Sequence, residues 1–128
     1  MFLVGGYITP LKCYIKNTFT LDEHRSILVS LRHMNEARAE HAMLYSKGVI
    51  YVFGGESLVS DSEAHEVKTL NTCEAYDVAS DKWTAIPSFT NARQHFSCCS
   101  FNEKFIFIFG GKKVHQGYAN GPKPFGLV

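Results

Sequence analysis

The sequence is short of long apolar runs: its longest, residues 49–53 and 105–109, are five residues each, whereas a membrane-spanning helix needs about 20. A spanning helix is therefore excluded. Neither sign of charge dominates, because 13 Lys and Arg stand against 12 Asp and Glu for a net charge of +1. That balance argues against a nucleic-acid or anionic-membrane surface. The four cysteines, Cys13, Cys73, Cys98 and Cys99, are too few and too unevenly spaced for a disulfide framework. Free, mostly buried thiols in a reducing, cytoplasmic setting are the expectation. The start, Met1-Phe2-Leu3-Val4-Gly5-Gly6, carries no basic stretch and too short an apolar one for a secretory signal.

What the chain has is enough apolar residues, 45% with 20% charged, to build a buried core. It also repeats. Phe2-Leu3-Val4, Val49-Ile50-Tyr51-Val52-Phe53 and Phe105-Ile106-Phe107-Ile108-Phe109 each run directly into a glycine pair: Gly5-Gly6, Gly54-Gly55 and Gly110-Gly111. From Gly5 to Gly54 is 49 residues and from Gly54 to Gly110 is 56, periods that suit a propeller or a similar array. After the second pair come Tyr76-Asp77, Trp83 six residues beyond the aspartate, and Arg93-Gln94-His95. After the first come Leu21-Asp22, Leu28 six residues beyond, and Arg38-Ala39-Glu40-His41 in the same order.

In residues 49–53, Val49, Tyr51 and Phe53 leave one face of a strand and Ile50 and Val52 the other, so both faces are apolar. Residues 105–109 show the same pattern. An antiparallel sheet with one wet face alternates apolar and polar residues, so two apolar faces predict sheets stacked face to face. Ser46-Lys47-Gly48 and Asn102-Glu103-Lys104 then read as turns between first and second strands, and residues 77–82 as the turn between third and fourth. The glycine pairs read as structural, since neither the spaced glycines nor the following helix of a phosphate loop is present.

The order of glycine pair, Tyr-Asp, Trp, and Arg before the next strand resembles the Kelch repeat. The resemblance implies an all-β fold of antiparallel four-stranded blades in a Kelch-type β-propeller, here incomplete and open. Residues 38–87 would form one complete repeat. Residues 1–37 would supply strands two to four of another, residues 88–111 strands one and two of a third, and residues 112–128 a flexible tail. Residues 35–46 are rich in Ala, Glu, Met and Leu and taken alone favour a helix. The repeat alignment assigns the end of that segment to a strand instead. Leu21 and Leu28 depart from the family's Tyr and Trp, and Ser97 falls opposite His41 when the glycine pairs are superposed without gaps.

The resemblance also implies a protein-interaction module rather than an enzyme, with no cofactor and no nucleic-acid or membrane partner. Substrate recognition in a ubiquitin ligase adaptor and a cytoskeletal or scaffold role are the forms it implies. A metal-dependent Kelch-type enzyme and a nonfunctional truncated remnant are the alternatives. Alternating strand directions bring residues 7–12, 32–38, 56–72 and 87–93 to one end, the expected binding face. On that face Arg38, Arg93, Glu63, His65 and Lys68 are the candidate partner contacts, although a repeated Arg serves equally to tie blade to blade. Asp61 and His65 lie four apart, a spacing that suits a metal if the loop orders. Iron-binding members of the family, however, would need Glu at position 57, where Ser57 stands. Two and a half blades cannot close a ring of about 4 to 8, so self-association or further repeats would have to complete it.

Overall fold

The computed structural model describes residues 1–59 and 66–113. Within them, eleven strands form three stacked antiparallel sheets and one small hairpin, and no helix interrupts the array. The first sheet is β1 (Phe2–Ile8), β2 (Cys13–Asp22) and β3 (Ile27–Leu31). The second orders β4 (Ala42–Ser46), β5 (Val49–Phe53), β8 (Cys73–Asp77) and β9 (Lys82–Ile86) as a four-stranded meander. Between β5 and β8 the chain makes a separate hairpin from β6 (Glu56–Leu58) and β7 (Val67–Thr69). The third sheet pairs β10 (Gln94–Phe101) with β11 (Phe105–Lys112).

Local chemistry explains where the strands turn. Lys47 and Gly48 both have positive φ, 49° and 78°, the two-residue geometry that continues the right-handed strand twist. Asp77 Oδ1 accepts from the backbone N–H of Ala79 and Ser80 and so shapes the β8–β9 turn. Asp22 does the same for His24 and Arg25 between β2 and β3. In both turns the residue four beyond the aspartate is left-handed, Asp81 at 49° and Ser26 at 53°. The two repeats thus share a turn down to its backbone angles. The helical preference of residues 35–46 is overridden because β4 pairs residue by residue with β5 and the sheet gains more from that ladder than weak propensity costs.

The stack is built on β5. Ile50 and Val52 are fully buried and join Met34, Tyr76 and Trp83 in a core against which Phe2, Val4 and Leu31 of the first sheet pack. From the opposite face of β5, Phe53 meets Phe89 at 6.0 Å, and Phe89 meets Phe96 of the third sheet at 5.9 Å. Both faces of β5 are therefore covered, as its two-sided apolar pattern requires. β11 differs. Phe105, Phe107 and Phe109 carry the same pattern but stay exposed, because no described sheet follows the third one.

One alignment is corrected by the backbone. The β10–β11 turn spans three residues where β4–β5 spans two, so the ungapped match of Ser97 to His41 slips by one. Glu40 and His95 share a positive φ, 53° and 55°, which makes Phe96 the counterpart of His41 and Ser97 that of Ala42. The cysteines also differ from the expectation of mostly buried thiols: all four are free, but only Cys73 is buried, with Cys99 exposed.

Candidate functional site

The glycine pairs mark the end of the sheets where successive units are joined. Gly55 N–H donates to the Arg93 carbonyl at 2.9 Å and Gly6 N–H to the Arg38 carbonyl at 2.8 Å. At Gly54, with φ of 53°, a side chain's Cβ would lie 2.5 Å from that same Arg93 carbonyl, and at Gly5 2.5 Å from the Arg38 carbonyl. No residue but glycine lets the backbones approach this closely.

Arg38 is 0% exposed, so it presents no guanidinium fork to a partner; burial corrects that expectation. Its Nη1 donates to the carbonyls of Gly54 at 2.8 Å and Thr72 at 2.9 Å. Its Nη2 donates to Glu74 at 3.0 Å and to Thr72 Oγ1 at 3.2 Å. Glu74 is itself buried and accepts further bonds from the Asn35 backbone and side chain. A buried charge pair is tolerable only when most of its remaining hydrogen-bonding sites are filled; here Asn35 and the Glu36 backbone fill those of Glu74, while Arg38 Nε alone of the guanidinium nitrogens has no partner among the described residues. Arg38 therefore ties the strand entry of one unit to the glycine-pair turn and β8. Arg93 repeats the gesture at lower burial, donating to the Gly110 carbonyl at 3.2 Å and lying 5.6 Å over the Phe89 ring.

A second polar chain crosses all three units at the same end. Glu56 Oε1 accepts from Tyr14 of β2 at 2.9 Å, and Oε2 accepts from Gln94 of β10 at 2.6 Å. Thr69 of β7 donates to Gln94 Oε1 at 2.9 Å. Burial, with the carboxylate of Glu56 alongside, pushes the Tyr14 hydroxyl far above its ordinary range. Glu36 links outward: burial alone would raise its carboxyl, but bonds from Thr72 and Lys68 and the Arg38 charge hold it below the usual range. Lys68 thus pairs with Glu36 at 3.1 Å while its side chain stays partly exposed. Glu63, His65 and Asp61 lie outside the described residues. Among the described residues no three His, Cys, Asp or Glu side chains converge as a metal ion would require.

The remaining repeat residues work as a structural joint. Tyr76 and Trp83 rings lie 5.1 Å apart. Trp83 Nε1 donates to the Arg32 carbonyl at 2.8 Å, tying β9 to the linker from the first sheet. Tyr76 donates to Asp81 at 2.7 Å; burial first, then that carboxylate, pushes its hydroxyl up to about 12. A shallow cleft of about 380 Å³ opens beside this joint, lined by Arg32, His33, Asn35, Asp81 and Lys82 with the edge of Trp83. What the outer surface at the glycine-pair end offers is the β1–β2 turn, with Tyr7 and Leu11 exposed and the Tyr7 ring tilted against Tyr14 at 4.9 Å. Sequence reasoning placed the loops at this end but missed Glu56, Glu74 and Gln94. A lone acid between Cys73 and Ala75, in a strand otherwise apolar up to Asp77, was the available signal for Glu74.

Comparison with known proteins agrees with this architecture. Residues 37–90 match the family described as the Kelch motif. The chain is 35% identical over 79 residues to Beta-scruin of Limulus polyphemus, covering 62% of this chain and 8% of that protein. It is 32% identical over 87 residues to Kelch-like protein 15 of Danio rerio, covering 68% of this chain and 14% of that protein. The chain thus spans a small part of the length of these relatives. A solved structure titled "Structure of YjhT" superposes with a TM-score of 0.66 at 17% identity, over 77% of this chain and 29% of that one. With its stacked antiparallel sheets forming an open propeller, the chain carries a Kelch motif at residues 37–90.

Proposed function

We propose that this chain is a protein-interaction module that recognises another protein through the glycine-pair end of its blades. The observation that carries the reading is the Tyr14–Glu56–Gln94–Thr69 chain, which cross-links three units and holds the surrounding turns on a rigid base. A rigid base with exposed turns is how repeat scaffolds present contacts. The candidate contacts are Tyr7 and Leu11 on the β1–β2 turn, with Lys68, Arg93 and the residues between β6 and β7, Glu63 and His65 among them. Arg38 serves as the brace beneath them. The reading is of binding rather than catalysis, with no cofactor. A ligase-adaptor or cytoskeletal role follows only by likeness to the Kelch relatives. A cytoplasmic setting suits four unpaired thiols, and among the described residues no helix is long and apolar enough to cross a membrane.

The test is affinity capture compared quantitatively across variants. Leu11→Asp, at a side chain 70% exposed, should sharply reduce recovery of the partner without moving the melting temperature. Lys47→Ala with Lys104→Ala, at the opposite end, should leave recovery unchanged. Equal loss from both ends would contradict the reading.

A further inference from the structure

The cleft beside Trp83 lies at the end of the sheets opposite the glycine pairs. Val49 pairs with Asp77 and Asp77 with Lys82, and the Val78 N–H donates to the Gly48 carbonyl, so the β8–β9 turn sits level with the β4–β5 turn. The walls of the cleft come from the linker after β3 and from the β8–β9 turn, so two units of the chain build it together.

Arg32 is clamped there by its backbone. Its N–H donates to Asp81 Oδ1 at 2.9 Å, and its carbonyl accepts from Trp83 Nε1 at 2.8 Å. Trp83 is buried, and Asp81 holds the left-handed position of the turn that Asp77 shapes, so the Arg32 side chain starts from a fixed point. The charges around it do not balance. Asp81 is the one carboxylate among the described residues lining the cleft. Its Oδ1 already accepts from the Tyr76 hydroxyl and the Arg32 N–H, bonds that hold its carboxyl below the usual range. Its Oδ2 stands 4.0 Å from Arg32 Nε, with the Arg32 side chain 70% exposed, so the guanidinium keeps its two terminal nitrogens for another acceptor. Lys82 and His33 line the same cleft, and among the described residues their side chains make no hydrogen bond or ion pair. Arg32 and Lys82 against Asp81 leave one positive charge uncompensated.

We propose that this cleft takes the carboxylate of an aspartate or glutamate side chain from a partner protein, at a contact separate from the glycine-pair end and independent of it. One carboxylate cancels the excess charge, and the planar guanidinium fork matches it with two parallel hydrogen bonds. A phosphoryl dianion would overfill the site and lie against Asp81. A volume of about 380 Å³ holds one such side chain with its flanking backbone. The cations are exposed, so each contributes modestly to affinity, and the contact sets the register of a partner more than its strength of binding.

Amide NMR of the full chain, titrated at constant ionic strength with N-acetylated glycyl-glutamyl-glycinamide, tests it, with the glutaminyl peptide as control. The Trp83 indole N–H and the Arg32, Asp81 and Lys82 amides should shift saturably with the glutamyl peptide, with a millimolar dissociation constant, and should not shift with the glutaminyl one. Arg32→Gln and Lys82→Gln should each weaken binding about two- to fivefold. Neither should move the melting temperature, because the bonds that clamp residue 32 are backbone bonds. Lys104→Gln, at an exposed cation outside the cleft, should leave binding unchanged. Equal shifts from both peptides, or an Arg32→Gln variant that binds as wild type does, would overturn the proposal. So would inorganic phosphate binding more tightly than the glutamyl peptide at the same ionic strength, which would show that the cleft does not prefer a carboxylate.

Discussion

Replacing Arg38 with Met keeps the unbranched stem as far as the position of Nε and removes the guanidinium with every side-chain hydrogen bond it makes. The Gly54 and Thr72 carbonyls lose their side-chain donor, and Glu74 keeps a buried negative charge balanced only by Asn35 and the Glu36 backbone. Breaking a buried ion pair by deleting one member costs about 3–5 kcal/mol, a large part of the roughly 6–19 kcal/mol expected of a domain this long. With a urea m-value near 2 kcal/mol per molar, the unfolding midpoint should fall by about 2 M. Trp83, the single tryptophan, sits in the core and reports the transition. Arg38→Lys separates charge from geometry: an ammonium lacks the planar fork that reaches two carbonyls and a carboxylate together, so it should recover less than half of the loss. The Arg38→Met and Glu74→Leu double variant should show a coupling of about 1.5–3 kcal/mol. All variants are compared at one protein concentration, since association would shift each midpoint. A midpoint change below 0.5 M for Arg38→Met, or a Lys variant as stable as wild type, would refute the brace.

Three further outcomes follow from the same geometry. Gly54→Ala should destabilise by about 2–4 kcal/mol in urea titration, since its Cβ meets the Arg93 carbonyl at 2.5 Å and its φ of 53° is unfavourable for alanine. Tyr76→Phe should lose about 1 kcal/mol through its bond to Asp81, whereas Ile50→Ala, from a fully buried site, should lose about 2–5 kcal/mol. Burial, then the Arg38 charge, lowers His41 to about 4 from 6.5. Its Nδ1 is buried with no acceptor among the described residues. The unfolded chain therefore binds the proton more readily. This contribution to stability is complete above about pH 6.5 and is lost as pH falls toward 4, by up to about 3 kcal/mol. His41→Phe, which places at this site the residue its repeat counterpart carries, should flatten the pH dependence of the midpoint in that window.

The stacking was legible because β5 states it in five residues: apolar side chains on both faces cannot be satisfied by a single sheet against water. The glycine pairs were legible for a related reason, since backbone-to-backbone approach admits one residue type. The β6–β7 hairpin was not, because Glu56-Ser57-Leu58 and Val67-Lys68-Thr69 are too short and too mixed in polarity to announce a ladder. Nor were the network's acids, half-buried Glu56 and buried Glu74. Glu56 and Glu74 are settled by partners 38 and 36 residues away, Gln94 and Arg38, and local pattern carries no information about such pairs. Arg38 shows the limit from the other side: the repeat identified it as important, while only the burial of its guanidinium shows that it serves the blades rather than a partner.

The claim beneath all of this is that β5 is the centre of a stack, covered on both faces, with β11 at an open margin of the chain. Native-state hydrogen exchange reads that order directly. The amides of Ile50, Val52 and Tyr76 should exchange most slowly, at rates set by global unfolding, and those along the free edge of β11 should exchange many-fold faster. Equal protection across β5 and β11, or faster exchange at β5, would contradict the account.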